Sequence, residues 1–275
     1  MLKSYRAALI SLSVVLVFVL SGCSNAGTID SHSTGIWNHY FVYPISYMIQ
    51  FVAHHIPGAS FGVAIIIMTL VIRSAMIPLA VSQYRSQAKM KKMQPELQKL
   101  KKKYGDVSKD LEKQKQYQKE MSELMKSGGW NPLAGCWPIF IQMPIFSALY
   151  YAISRTEEIR TSSFLWVNLG HADPYHILPI IAALTTFIQM KVFQSNITPG
   201  EQVQMLKIQQ IMMPAMILFM GFAAPSGLVL YWITGNLFTM TQTIVLRKIM
   251  EREELQLQKH RETPLITSGV FYLNR

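Results

Sequence analysis

The sequence predicts an all-α membrane protein. It reads as five transmembrane helices around a hydrophilic groove, a cytoplasmic antiparallel helical hairpin and an outer interfacial amphipathic helix. Composition is the first ground: half of the 275 residues are hydrophobic and only 15% are charged, where a soluble domain carries about 25%. Mean hydropathy is positive, at +0.21. Apolar runs recur at roughly 20 residues, the length needed to cross a hydrocarbon core of about 30 Å. The formal charge of +11 lies mostly between those runs, so it informs topology loop by loop.

Residues 1–22 read as a lipoprotein signal peptide. Lys3 and Arg6 precede an apolar stretch from Ala7 to Leu20, and "LSGC" (Leu20 to Cys23) follows. A cysteine directly after a small pair at the end of such a core favours lipidation of Cys23 (an acyl anchor such as palmitate) over an ordinary cleavage site or a retained helix. Residue 23 then starts on the outer face. Cys136, the other cysteine, falls in a different compartment, so neither a disulfide framework nor a cysteine metal site is expected.

The expected segments follow in order: 23–57 outside, spans at 58–82, 130–153, 175–195, 206–223 and 227–246, and a tail at 247–275. Residues 83–129 hold thirteen Lys/Arg against six Asp/Glu, whereas 154–174 holds two against three. Excess Lys/Arg marks the cytoplasmic side. An outside start and five crossings give the same answer: 83–129, the short loop 196–205 and the tail are inside, and 154–174 is outside. Within 23–57, Phe41, Ile45, Met48, Ile49, Val52 and Ile56 recur at helical spacing, with Ser46, Gln50 and His54 opposite. This pattern predicts a helix lying in the outer interface. His54 and His55 are adjacent and do not share a helix face, so they do not suggest a metal site.

Tyr84–Tyr104 and Ser108–Lys126 are rich in helix formers and joined by "YGD", which predicts the helical hairpin. Its lysines read as a solvated face that fixes topology, or as an arm for anionic headgroups or a ribosome. Aromatic residues are too sparse there to suggest specific nucleic-acid binding. In and just before the fourth span, Met205, Met212, Met213, Met216 and Met220 supply adaptable apolar packing.

Arg73, in "LVIRSAMIPL" (Leu70 to Leu79), is the one charge expected deep inside a span. Lys191 and Lys207 lie near span ends and can snorkel. An arginine at depth costs at least about 2.5–3.5 kcal/mol, less if it faces water or polar groups. Thr69 lies on the same helical face, and Gln142, Gln189, Asn236, Gln242, Ser147, Thr185 and Thr186 are candidate partners from other spans. Each of these amides could equally make an ordinary helix–helix hydrogen bond. No Asp or Glu falls inside a span, which argues against proton relays and carboxylate-coupled carriers. HExxH and GxSxG are absent, and neither an enzyme nor a cofactor is expected.

"QPELQKLKKKYGD" (Gln94 to Asp106), "NPLAGCWPIFIQMPIFSALYYAI" (Asn131 to Ile153) and "PSGLVLYWITGNLFTMTQ" (Pro225 to Gln242) resemble the YidC/Oxa/Alb family of membrane protein insertases. The resemblance covers about residues 36–250, and the lipobox is similar to the Gram-positive form. It implies a protein that inserts nascent membrane proteins and helps fold them as a chaperone, alone or with the Sec translocon, and that can work as a monomer. It implies a groove open to cytoplasm and lipid, with Arg73 as its arginine. Thr69 and Trp232 then match substrate-contact positions, and Gln142 and Gln189 match polar groove positions. The tail departs from the family pattern: "TPLITSGVFYLNR" is unlike a ribosome-binding basic tail and leans toward a second, conditionally expressed copy. A scaffold for a membrane complex and a small-solute channel are the rival classes.

Overall fold

The computed structural model describes residues 27–105, 110–128, 133–194 and 202–267. The signal peptide, Cys23, most of the loop 196–205 and the end of the tail lie outside the described residues. Among the described residues the fold is all-helical apart from one two-stranded turn. A five-residue π turn, Asn38–Val42, leads into α1 (Tyr43–His55), followed by α2 (Phe61–Ala75), α3 (Ile77–Tyr104), α4 (Leu111–Ser127) and α5 (Leu133–Arg155). The short α6 (Glu157–Thr161) and an antiparallel pair, β1 (Ser163–Phe164) with β2 (Val167–Asn168), precede α7 (Ile177–Gln194), α8 (Gln202–Ala223) and α9 (Ser226–Thr267).

The first expected span is not one straight helix. Ser60 caps α2 by accepting from the Val63 amide, and the chain bends by 54° between α2 and α3. Pro78 explains the break: it has no N–H for the Ser74 carbonyl, and its ring crowds that turn. α3 then runs for 28 residues without interruption, so the end of this span and the first arm of the basic segment are one helix. Together, the bent pair passes the length and hydropathy test for a membrane span, as does Ile177–Gln194 alone. The remaining expected spans are also helical, in α5, α8 and the first half of α9.

α3 and α4 run side by side in opposite directions. Lys103 Nζ donates to Glu120 at 2.8 Å, Tyr104 Oη donates to the same carboxylate, and Met93 lies against Gly128. Asp110 caps α4 through the amides of Glu112 and Lys113. α9 is 42 residues long, roughly 63 Å at 1.5 Å per residue, about twice a hydrocarbon core. Its far half meets α3 through Lys92 and Glu254, 2.6 Å apart.

Burial is strongly one-sided. The main core joins Ile49 of α1, Ala64, Ile65 and Met68 of α2, Leu149 and Ile153 of α5, Ile159 of α6, Leu169, and Leu228, Leu230 and Tyr231 of α9. All of it lies at the end carrying α1, α6 and the strand pair, the capped end. On α2, Met68 and Thr69 are buried while Leu70, Val71, Ser74 and Ala75 are exposed. On α9, residues 226–231 are all buried; between 236 and 259 only Thr243 is.

The cap is sewn on by polar contacts. Ser46 and Thr156 share a buried hydrogen bond of 2.7 Å, and Gln50 donates to Ser46. His54 Nε2 lies 2.9 Å from Glu158. The Ser226 amide and hydroxyl both donate to the His171 carbonyl, and the Gly227 amide donates to Leu169. Thus the polar side of α1 meets the protein, with Ser46 buried and His54 paired with Glu158 at the surface. Ile49, expected on the membrane side, is core, while Tyr47, Met48 and Phe51 are exposed. The periodicity separated the two faces but not their destinations, because the polar loop 154–174 offers partners to Ser46 and His54.

Two expectations follow for the cap. A Cβ on Gly62 would stand 2.1 Å from the Phe164 ring, so Gly62→Ala should lose about 1–3 kcal/mol through overpacking. Thermal unfolding in detergent checks this, and adding Phe164→Ala should recover part of the loss. Asp173 is buried, which pushes its carboxyl up, but donations from the Leu178 and Tyr175 amides, the Trp166 indole and Ile177 outweigh burial and hold it below the ordinary value. Its stabilisation is therefore complete above about pH 4, the unfolded value, and is lost as pH falls through the lower folded one. Asp173→Asn should cost about 1–3 kcal/mol at neutral pH and flatten the acid limb of a melting-temperature profile.

A candidate arginine site beneath the capped core

Arg73 lies in the last turn of α2, three residues before the bend, immediately below the buried Met68–Thr69 layer. Its guanidinium carbon is 5.9 Å from the centre of the Tyr231 ring on α9, a cation–π approach. One helical turn further along α9 is Gly235. A Cβ built there would be 2.9 Å from Arg73 Nη2 and 3.3 Å from Nε. Gln142 of α5 donates from Nε2 to the Tyr231 hydroxyl at 2.8 Å, fixing the ring. Three helices therefore converge on one half-buried cation.

Among the described residues no carboxylate pairs with Arg73, and its Nε is buried without a hydrogen-bond partner. Gln242 Nε2 and Arg247 Nε, further along α9, are in the same condition. Buried donors are almost always satisfied by protein or water, so this half of the bundle favours water or polar guests over close packing.

The other expected site residues divide. Thr69 is fully buried and donates to the Ile65 carbonyl of its own helix, placing it in the packed layer above Arg73. Trp232 is half-buried and stacked on Phe146, with ring centres 5.1 Å apart. Gln189 is half-buried on α7, on the face shared with Thr185 and Thr186. Asn236 does not reach Arg73; its Nδ2 donates to Thr185 and Thr186, at 3.2 and 2.8 Å, and ties α9 to α7. For these three residues the ordinary interhelical hydrogen bond is the correct reading.

Two members of the site were missed in the sequence. Tyr231 reads as one more apolar-run aromatic and Gly235 as a routine small residue, and only their four-residue spacing hinted at a shared face. Arg247 donates to the Val192 carbonyl near the end of α7, where a cation suits the helix terminus.

Residues 51–254 match the model of the 60Kd inner membrane protein family. The chain belongs to this family, the YidC/Oxa/Alb insertases. It is 95% identical over 259 residues to "Membrane protein insertase YidC 1" of Bacillus cereus, a match covering 94% of this chain and all of the relative. It is 46% identical over 243 residues to "Membrane protein insertase YidC 2" of Bacillus anthracis, covering 88% of this chain and 93% of that one. A crystal structure of an active YidC insertase with its first transmembrane domain resolved superposes with a TM-score of 0.59 at 26% identity. That match covers 76% of this chain and 47% of the longer one. Membership places the chain in the cell membrane. The chain is more similar to the Bacillus relative numbered 1 than to that numbered 2.

Asn236→Leu removes the α9–α7 tie. It should destabilise the protein in detergent by roughly 0.6–1.7 kcal/mol, the range for interhelical hydrogen bonds in membranes, as read by chemical unfolding.

Proposed function

We propose that this chain is a membrane protein insertase and chaperone acting on nascent membrane proteins. The carrying observation is the position of Arg73, a permanent cation with a buried unpaired donor directly beneath a tightly sewn cap. A polar client segment needs a partly hydrated path that stops short of the far side. The sealed layer from Thr69 to Phe164 is the stop, and the region below it, where burial falls away along α2 and α9, is the path.

In this reading the capped end is the outer face, the five spans enclose the groove, and residues 83–129 and the tail are cytoplasmic. Cys23 carries the lipid anchor. Arg73 attracts acidic residues in the client's short outer segment. Gln142 holds Tyr231 against the cation, Gln189 lines the polar wall, and Trp232 with Thr69 marks where the client meets the packed layer. Removal of the client's apolar helix from water drives the event, at about 25 cal/mol per Å², with no covalent step. The basic α3–α4 pair receives the client and touches anionic headgroups. A single copy suffices, acting alone or with the Sec translocon, and the tail does not favour a ribosome as partner.

A solute channel needs a path continuous through both ends, and the buried cap residues Ile159, Leu169 and Val167 oppose it. A scaffold reading would require a partner's acid on Arg73.

The deciding experiment is insertion of a single-span client into sealed liposomes holding the purified protein, read by protease protection. Wild type should protect the client. Arg73→Ala should reduce protection of a client with an acidic outer segment by about tenfold, as for loss of a charge-assisted contact, and Arg73→Glu should abolish it. Arg73→Lys should retain much of it. No protection by folded wild type would overturn the autonomous insertase.

A further inference from the structure

Glycines that allow close approach in this chain are of two kinds. At Gly62 a Cβ would strike the Phe164 ring at 2.1 Å, and at Gly170 it would strike the Arg160 backbone carbonyl at 2.4 Å. Both obstacles are held by the cap. At Gly235 the nearest atoms are Nη2, Nε and Cζ of Arg73, at 2.9, 3.3 and 3.4 Å. That obstacle is the free end of a long side chain, which can swing away. Gly235 is itself buried, one turn from Tyr231 on the helix face that meets α2.

We infer that Gly235 is a positioning residue: its missing Cβ is the seat that holds the Arg73 guanidinium against α9 beneath Tyr231, and so sets the depth of the charge. Three features support the assignment. The guanidinium lies along the glycine with two of its nitrogens and its central carbon, and not with one stray atom. The Tyr231 ring roofs the seat, and the Gln142 bond to its hydroxyl fixes that ring from a third helix. No acid or amide among the described residues holds the guanidinium in place, so its position depends on shape. A planar group over an aromatic face needs this flat, side-chain-free surface more than a compact ammonium does.

The inference rests on the reading that Arg73 acts electrostatically on clients, and it goes on to name what places the charge. A methyl at 235 should displace the cation and leave the fold alone, because only the swinging side chain must move. The test compares Gly235→Ala, Arg73→Ala, Arg73→Lys and the double variant Gly235→Ala/Arg73→Lys in the liposome assay. It uses two clients that differ only in an acidic or a neutral outer segment, and records the melting temperature of each variant.

Gly235→Ala should lower the acidic-to-neutral insertion ratio about tenfold, the loss expected for one charge-assisted contact, with an unchanged melting temperature. The double variant should perform no worse than Arg73→Lys alone, since the compact head does not need the seat; this non-additivity is the signature of direct contact. A Gly235→Ala ratio equal to wild type, where Arg73→Ala does lower it, would overturn the seat and leave the electrostatic reading standing. An unchanged ratio in Arg73→Ala would overturn both. Equal loss for the two clients together with a lower melting temperature would make Gly235 a packing residue only. Should Gly235→Ala fail to fold, recovery of folding in the double variant supports the contact, and failure of both variants overturns it.

Discussion

A guanidinium that never loses its proton must be kept wet or paired when it is carried among apolar helices. Arg73 is not paired with a described carboxylate, so the structure around it has to provide access and not closure. This constraint orders the rest. The main core lies at one end, and along α2 and α9 burial falls away from the level of Arg73 downward. The bend at Met76, which Pro78 imposes, turns α3 away from the line of α2 just past the cation. A straight helix would have continued the apolar wall across that space.

Access at one end requires that the other end be strong enough to hold the long helices together. The cap meets this demand with hydrogen bonds whose partners lie far apart in the chain, Ser46 with Thr156 and Ser226 with His171, and with local bonds that tie Asp173 to the start of α7. Each satisfies a buried polar atom that would otherwise cost about 1–3 kcal/mol. The amide layer below does similar work in one place, where Asn236 joins α9 to α7. Satisfied polar side chains thus close the cap and join α9 to α7, while Arg73 Nε and Gln242 Nε2 are buried donors without a partner.

Arg73 was legible in the sequence because a charge inside an apolar run is a one-dimensional anomaly. The helices were legible for the same reason, since their patterns are local. What was not legible depends on which elements face one another. The polar stripe of α1 was visible, yet whether it met water or the loop 154–174 required Thr156 and Glu158 to be brought beside it. Asn236, Thr185 and Thr186 looked like partners for the arginine because composition counts amides without pairing them. Gly235 was invisible because its role consists of an atom it lacks, and the residue that needs the space is 162 positions away in the sequence. Pro78 was in view, but a single apolar run from 58 to 82 reads as continuous until geometry shows the turn.

Beyond the bundle, two helices carry the fold outward. α3 and α9 both continue past the length of a membrane crossing, so each joins a distant half to residues flanking Arg73: Ile77 and Pro78 on one, Gly235 on the other. The ion pair given between those halves, Lys92 with Glu254, is largely exposed, and exposed pairs are worth about 0–1 kcal/mol. Such a pair adds little to the strength of this region. The firm contacts lie in the cap, at the opposite end from these halves.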